Sequence, residues 1–126
     1  MNEINDLIQD IAKQASTSAI EAVKEQVDLE SKEVYDTLQK TTPKSSGNLV
    51  NSLKMTKIET NNQYGYKIEY EGNNDKGIPN QLIANALNYG TKTIPAKHFR
   101  TRAIRKLKGI DKRIVLRYEQ KLKKGE

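Results

Sequence analysis

The stretch TTPKSSGNLVNSLK, residues 41–54, contains the glycine, lysine and hydroxyl side chains from which phosphate-binding loops are built. A Walker loop needs four residues between two glycines, followed directly by Lys and then Ser or Thr. Here there is a single glycine, Gly47, and Lys44 precedes it. Ser45 and Ser46 have no nearby His or Asp arrangement that is typical of a nucleophilic serine. The stretch therefore indicates neither a nucleotide site nor an active-site serine.

The other residues that could do chemistry do not form a recognisable catalytic or metal-binding pattern. The single histidine, His98, stands beside Phe99 in a basic stretch, and we interpret it as a packed or surface side chain. One histidine cannot build a zinc site without carboxylate ligands, and the absence of cysteine excludes disulfide and thiolate chemistry. We therefore predict that the protein is not an enzyme and has no cofactor, no metal and no small-molecule substrate.

The basic residues near the C-terminus are the strongest indication of a ligand. Residues 97–126 hold twelve Lys and Arg against three acidic residues, in a chain of net charge +6. Such residues contact phosphates without sequence preference and with a strong dependence on salt. The aromatic residues of this region, Phe99 and Tyr118, fall on the apolar stripe of a predicted helix and not on a stacking platform. The candidate interface or DNA-path residues are Arg100, Arg102, Arg105, Lys106, Lys108, Lys112 and Arg113.

The N-terminal part of the chain has the opposite charge. Residues 1–40 hold four Lys against nine Asp and Glu. Two arms of opposite sign predict a contact between them, either within one chain or between subunits. They are equally compatible with two helix faces that are simply solvated.

Helical spacing of apolar residues runs through the first 40 residues, from Ile4 to Leu38. It predicts either one helix of about 35 residues or two helices joined near Ser16–Ser18, where hydroxyl side chains compete for backbone hydrogen bonds. A single helix of that length is long for a chain of 126 residues. We therefore expect part of it to project or to pack on a neighbouring subunit.

Strand-like alternation follows in KMTKIET and YGYKIEYEG, which flank an Asn/Gly turn and predict an antiparallel hairpin. QLIANALNYG predicts a short helix that ends at Gly90, where a side chain would clash. A last, basic helix is predicted from Pro95 onward, with a bend at Gly109.

The predicted fold class is α+β, with a long N-terminal helix, a small antiparallel β-sheet, a short helix and a basic C-terminal helix. We expect one domain over residues 1–126, made of a helical arm (1–40), a sheet with short helices (41–96) and a C-terminal helix (97–126). No apolar run approaches the roughly 20 residues that span a bilayer. The acidic, amphipathic start is unlike a signal peptide, so we expect a soluble cytoplasmic protein without membrane contact.

Two short boxes stand out in the order of these elements. The first is TPKSSGNLVNSL, residues 42–53, at the end of the predicted helical arm, and the second is YGTKTIPAKHF, residues 89–99, before the last helix. The box positions that we expect to build the fold are Thr42, Pro43, Gly47, Leu49, Leu53, Tyr89, Gly90, Thr91, Pro95 and Phe99.

In this order and spacing, over nearly the whole chain, the boxes resemble those of the small neck, or head–tail joining, proteins of tailed bacteriophages. These belong to the Hong Kong 97-type group of minor structural proteins. The chain departs from the family pattern in having KSSG where many members have Asp before Thr-Gly, and FRTRA where many have a Pro after the Phe.

The resemblance implies assembly in place of catalysis. It implies a virion protein, made in the cytoplasm of a bacterial host, that lies in the neck between head and tail. It further implies a homo-oligomeric ring of sixfold or twelvefold symmetry, with portal or connector proteins and tail proteins as partners. Packaged DNA would be a passive contact of the basic residues. The alternative that the residues themselves leave open is a basic cytosolic nucleic-acid-binding protein.

Overall fold

The computed structural model describes the backbone of residues 2–44 and 49–124, and the side chains of residue 6, of 17–44 and of 49–124. Six helices and strands and one 3₁₀ turn follow one another in the described ranges. They are α1 (Asn2–Thr41), the turn Val50–Ser52, β1 (Leu53–Glu59), β2 (Tyr64–Tyr70), α2 (Asn80–Tyr89), α3 (Phe99–Arg105) and α4 (Ile110–Lys124). The α+β prediction is confirmed, with a long N-terminal helix, an antiparallel two-stranded sheet and helices at the C-terminus.

The chain divides into two compact units, Glu30–Lys108 and the pair of segments Met1–Leu29 and Gly109–Glu126. The expectation of one domain over residues 1–126 stays a prediction. None of the helices in the described ranges is long and apolar enough to cross a membrane.

The N-terminal helix is one uninterrupted element of 40 residues, so the break near Ser16–Ser18 that we left open does not occur. The helix ends at the first box. The Thr42 amide makes a last bond of 2.9 Å to the Leu38 carbonyl. Pro43 then stops the helix, because a proline ring disfavours helical backbone at the residue before it. The next box residues, including Gly47, lie outside the described residues.

The hairpin confirms the predicted strand pairing, with Leu53 opposite Tyr70 and Glu59 opposite Tyr64. One face of it is covered at one end only. Leu53 and Tyr70 are buried there, while the opposite end of β1 is exposed. A two-stranded sheet has a single packed face, so the covered end depends on the helices that pack on it.

The core of the unit Glu30–Lys108 joins α1, the 3₁₀ region, both strands, α2 and α3. Three box residues, Leu49, Leu53 and Phe99, are among the most buried side chains of this unit. The full core is Val34, Leu38, Leu49, Leu53, Tyr70, Ala84, Phe99 and Ala103. Tyr70 and Phe99 meet edge to face, with ring centroids 6.5 Å apart, which is a favourable aromatic geometry.

The single C-terminal helix predicted over residues 97–126 is corrected to two helices. After α3, tight i→i−3 bonds such as that from the Lys108 amide to the Arg105 carbonyl (3.1 Å) close the helix. Gly109 follows with φ of 87°, a left-handed conformation that ends helices and that glycine adopts without strain. Pro95 lies in the loop before α3 and does not begin a helix. The apolar spacing continues through the break, which is why periodicity alone predicted one helix.

In the other unit, the first part of α1 pairs with α4. Only Ala22 and Gln26 are buried among its described side chains. The contact between these helices is largely polar. The Arg117 Nε atom donates to the Gln26 side-chain oxygen at 2.8 Å, and Lys121 pairs with both Glu21 and Glu25.

Candidate interaction site at the two boxes

The first box fastens the end of α1 to the sheet through Thr42. The Thr42 hydroxyl is buried and lies 2.5 Å from the Leu38 carbonyl oxygen and 2.6 Å from the Tyr70 hydroxyl. A carbonyl can only accept, so the single Thr42 proton goes to Leu38 and the Tyr70 hydroxyl donates to Thr42. The Thr-Pro pair therefore forms a structural corner at the end of α1.

We expect Tyr70→Phe to lower the free energy of unfolding by about 1–2 kcal/mol, because it removes this buried donor while keeping the ring. Tyr89→Phe is the matched control, since the Tyr89 side chain is 68% exposed. Urea unfolding at neutral pH measures both. Equal effects of the two changes would contradict the pairing.

Alkaline pH tests the burial of the Tyr70 hydroxyl. Burial raises the pKa of Tyr70 and outweighs both the hydrogen bond with Thr42 and the nearby Arg100 guanidinium, which lower it. The hydroxyl thus stays protonated in the folded chain at a pH where an unfolded tyrosine, with a pKa of about 10, ionises. The unfolded state then binds fewer protons, so Tyr70 makes stability fall as pH rises above about 10. Tyr70→Phe should remove that part of the fall, and an unchanged slope would contradict burial of the hydroxyl.

The second box is held by an asparagine that sequence reasoning missed. Asn88, in the last turn of α2, is completely buried. Its side-chain oxygen accepts from the Arg100 and Thr101 amides at 2.9 and 3.1 Å, and its side-chain nitrogen donates to the Thr101 hydroxyl at 3.0 Å. His98, the residue before α3, makes no side-chain cap. Asn88 takes over this role from another helix, since its side-chain oxygen accepts from the first amides of α3. The sequence did contain one signal for this role. Asn88 follows Ala84 by four residues and so falls on the same apolar face of the helix, where an asparagine needs a hydrogen-bond partner.

A cleft of about 700 Å³ lies between the two boxes. One wall is the end of α1 and the first box, through Thr37, Thr41 and Pro43. The other wall is the end of the second box and α3. The residues of that wall are Ala96, Lys97, His98, Phe99, Arg102 and Lys106. Pockets of roughly 300–1,000 Å³ bury drug-sized groups, so the cleft has room for a few side chains of a partner.

The cleft is lined by both apolar and cationic side chains. Pro43, Ala96 and Phe99 supply the apolar part, and Lys97, Arg102 and Lys106 supply three positive charges. No Asp or Glu is among the described residues that line it. The Arg102 guanidinium donates to the Lys97 carbonyl, and the Lys106 ammonium lies 3.1 Å from the Thr37 hydroxyl, so both side chains are tied to other residues of the cleft.

His98, at the edge of this cleft, has φ of 52° and is the one non-glycine residue with positive φ in the described ranges. Two backbone bonds hold it there, from its own amide to the Asn88 carbonyl (3.0 Å) and from the Arg102 amide to its carbonyl (2.9 Å). Left-handed backbone at a non-glycine residue is uncommon and persists where surrounding contacts impose it. The side chain is exposed, and its role here is to turn the chain into α3.

The predicted basic surface is divided among several places. Arg100 is half-buried and donates to the side-chain oxygen of Asn85, so it links α3 to α2. Arg102 and Lys106 line the cleft, whereas the exposed Arg105 and Lys108 belong to the same unit without lining it. The remaining two, Lys112 and Arg113, belong to α4 in the other unit.

The predicted contact between acidic and basic arms is present within the chain. Lys121 lies 3.6 Å from Glu21 and also pairs with Glu25, and Arg117 lies 3.9 Å from Glu25. The hydrogen bond with Glu25 raises the pKa of Lys121. These pairs are solvent-accessible, and such pairs each contribute little to stability.

The described residues contain no group of three or more His, Cys, Asp and Glu side chains that could hold a metal ion. Searches of protein-family models, of curated protein sequences and of solved structures found no match to this chain.

Proposed function

We propose that this chain is a structural subunit of the neck of a bacteriophage, or of a phage-derived particle, where it joins the head to the tail. The observation that carries the proposal is the pair of boxes, residues 42–53 and 89–99, in the order and spacing of the neck proteins that the chain resembles. The protein acts by assembly, and its partners are further copies of itself, portal or connector proteins, and tail proteins.

The geometry of the boxes supports a structural role for them. Thr42, Leu49, Leu53 and Phe99 are buried in the core, and Gly90 makes a turn that leaves no room for a side chain. The side chain of Tyr89, in contrast, is mostly exposed. Because the Tyr89 side chain is not packed inside the fold, it is available for contact with a neighbouring protein, and tyrosine is enriched in such contacts.

A ring of sixfold or twelvefold symmetry requires heterologous contacts, in which one face of a subunit meets a different face of the next. The cationic cleft at the two boxes is one face suited to this. The exposed cations outside the cleft, among them Arg105, Lys108 and Lys112, would face phosphates passively if they line the DNA path.

The test is removal of the gene from the phage or prophage that carries it. We expect DNA-filled heads and separate tails that fail to join, seen by electron microscopy, and joining restored by the wild-type gene supplied in trans. Normal, infectious particles without the protein would overturn the proposal.

The alternative function is binding of nucleic acid by the free protein in the cytosol, which the exposed cations favour. Each phosphate contact adds about −0.9 to the slope of log K against log salt concentration. A steep slope with micromolar or tighter affinity for duplex DNA, together with absence from particles, would favour this alternative. Weak DNA binding at physiological salt is expected for a neck subunit.

A further inference from the structure

The cleft between the two boxes is lined by three cations and by no carboxylate among its described residues. Lys97, Arg102 and Lys106 are the cations, and Pro43 and Ala96 add apolar surface beside them. All of these residues belong to the unit that contains the hairpin, so the cleft is complete within that unit. An occupant that complements both parts carries carboxylates next to small apolar side chains.

Two of the three cations keep their charge available for a ligand. The hydrogen bonds of Lys97 in the described ranges are made by its backbone, whose amide donates to the Leu87 carbonyl at 2.9 Å and whose carbonyl accepts from Arg102. The Lys97 side chain is exposed. The partner of the Arg102 guanidinium is a neutral carbonyl, which satisfies a donor without neutralising the charge. Because a guanidinium has five N–H donors, Arg102 can still bind a carboxylate.

Many carboxylates of the described residues already form ion pairs within the chain. They are Glu21, Glu25, Asp36, Glu59, Glu69 and Glu71. The chain as a whole has a net charge of +6, so a second copy approaches a cationic cleft less readily than an acidic partner does. The charge balance therefore favours an acidic segment of a different protein as the occupant.

A peptide fits the cleft better than a nucleic acid does. The Phe99 side chain is 3% exposed, so its ring offers no face on which a base could stack. The apolar surface of Pro43 and Ala96 has no counterpart in a sugar–phosphate backbone. A cleft of about 700 Å³ accommodates a few side chains, and most of its lining residues are exposed, so a chain can run across it.

We propose that the cleft binds a short acidic segment of another protein. The carboxylates of this segment face Lys97, Arg102 and Lys106. Its small apolar side chains contact Pro43 and Ala96. Clusters of basic side chains recognise acidic peptide motifs in this way. In a virion neck the segment belongs to a portal, connector or tail protein, and that assignment rests on the proposed function, whereas the chemistry of the cleft does not.

Peptide binding to the purified full-length chain tests the chemistry of the occupant. The probe is a fluorescein-labelled peptide in which glutamate alternates with leucine and alanine, and the control peptide has glutamine at every glutamate position. Fluorescence anisotropy measures the affinity of both. We expect the glutamate peptide to bind at least about tenfold more tightly at low salt, and added salt to reduce this difference.

Substitutions in the chain locate the binding. Lys97→Glu reverses the charge of a side chain whose hydrogen bonds the fold does not need, and we expect it to weaken binding of the glutamate peptide at least about tenfold. Arg105→Glu is the matched control, because it makes the same change of charge at an exposed residue of the same unit that does not line the cleft. It should bind like the unaltered chain, and circular dichroism should show the same fold for both variants.

Cross-linking of the unaltered protein in purified particles identifies the source of the segment. A carbodiimide joins carboxylates to lysines in direct contact, and mass spectrometry of the linked peptides names both partners. We expect Lys97 or Lys106 to be joined to Asp or Glu of a different protein.

Several results would overturn the proposal. Equal affinity for the glutamate and glutamine peptides, or unchanged binding by Lys97→Glu, would show that the cleft does not recognise an acidic segment. Displacement of the probe by inorganic phosphate or duplex DNA, at concentrations no higher than the unlabelled peptide requires, would show a general anion site or a nucleic-acid site. Cross-links from Lys97 to a second copy of this chain, or no link from Lys97 where other exposed lysines are linked, would exclude another protein as the source.

The same experiments separate this proposal from the neck function. If the chain is present in particles but does not bind the glutamate peptide, only the contact at the cleft fails. If the chain is absent from particles and still binds the peptide through Lys97, the neck function fails and the cleft remains a site for an acidic segment.

Discussion

Gly90→Ala is expected to lower the free energy of unfolding by about 2–5 kcal/mol, one of the two largest effects that the structure predicts. Gly90 has φ of 82° and ψ of 167°, a region that is essentially restricted to glycine. A Cβ atom there would lie 2.9 Å from the Ala96 amide nitrogen and 3.0 Å from the Ile94 carbonyl oxygen. Both neighbours are backbone atoms of the loop that leads into the cleft, so the clash cannot be relieved by a side chain alone.

Alanine substitutions at two other glycines allow the cost of backbone strain to be measured apart from the cost of the steric clash. Gly77 has φ of 78° but nothing within 4 Å of an added Cβ, so Gly77→Ala measures left-handed strain alone, at about 1–2 kcal/mol. Gly65 lies in β2 with ordinary φ and open space, so Gly65→Ala should leave stability nearly unchanged. Chemical denaturation of the three variants gives the comparison. A Gly90→Ala effect no larger than that of Gly77→Ala would contradict the close backbone approach.

Asn88→Ala is expected to cost about 2–4 kcal/mol, because two buried backbone amides and the Thr101 hydroxyl lose their partner and a small cavity remains. The loss should fall on α3, whose first turn Asn88 caps. Hydrogen exchange at the Arg100 and Thr101 amides should therefore accelerate more than exchange in the hairpin.

The control for Asn88 is Asn85→Ala on the same helix, at a half-buried site where water can replace the lost partner of Arg100. We expect a cost of about 1 kcal/mol there. Asn88→Asp keeps the acceptor for both amides but loses the donor to Thr101, so its effect should lie between those of the two alanine variants. Equal stability of Asn88→Ala and Asn85→Ala would show that the cap does not hold α3.

Local sequence signals were sufficient for several parts of the fold. Helical spacing predicted α1, alternation with an Asn/Gly turn predicted the hairpin, and Gly90 predicted the end of α2, because each depends on neighbours within a few residues. The break at Gly109 was predicted only as a bend. A glycine inside a continuous apolar pattern does not reveal whether the backbone becomes left-handed there.

The candidate site was less accessible to sequence reasoning because it depends on contacts between elements. Asn88 looks like an ordinary polar residue until α3 is placed against it. Arg100 was predicted to contact phosphate together with its basic neighbours, and the sequence did not reveal its hydrogen bond to Asn85. The cleft combines the end of α1 with a loop more than fifty residues later in the chain. The two boxes could be recognised in the sequence, but the sequence did not show that residues of both line one cleft.

The predicted basic residues differ in their contacts, and this difference decides which of them are suitable for a test of DNA contact. Charge reversal at Arg100 would disturb α2 and α3 as well as any surface, so it cannot report on DNA contact. Arg105 and Lys112 are exposed and are better sites for that purpose.

The copy number of this chain in purified particles distinguishes the proposed ring subunit of a virion neck from a protein that lies outside the virion. Quantitative mass spectrometry with isotope-labelled peptides would compare this chain with the tail-tube protein of the same particles. We expect a small constant number, on the order of six or twelve copies per particle, as a closed ring requires. Absence from particles, with the protein recovered in the soluble lysate, would contradict it and favour the nucleic-acid-binding alternative.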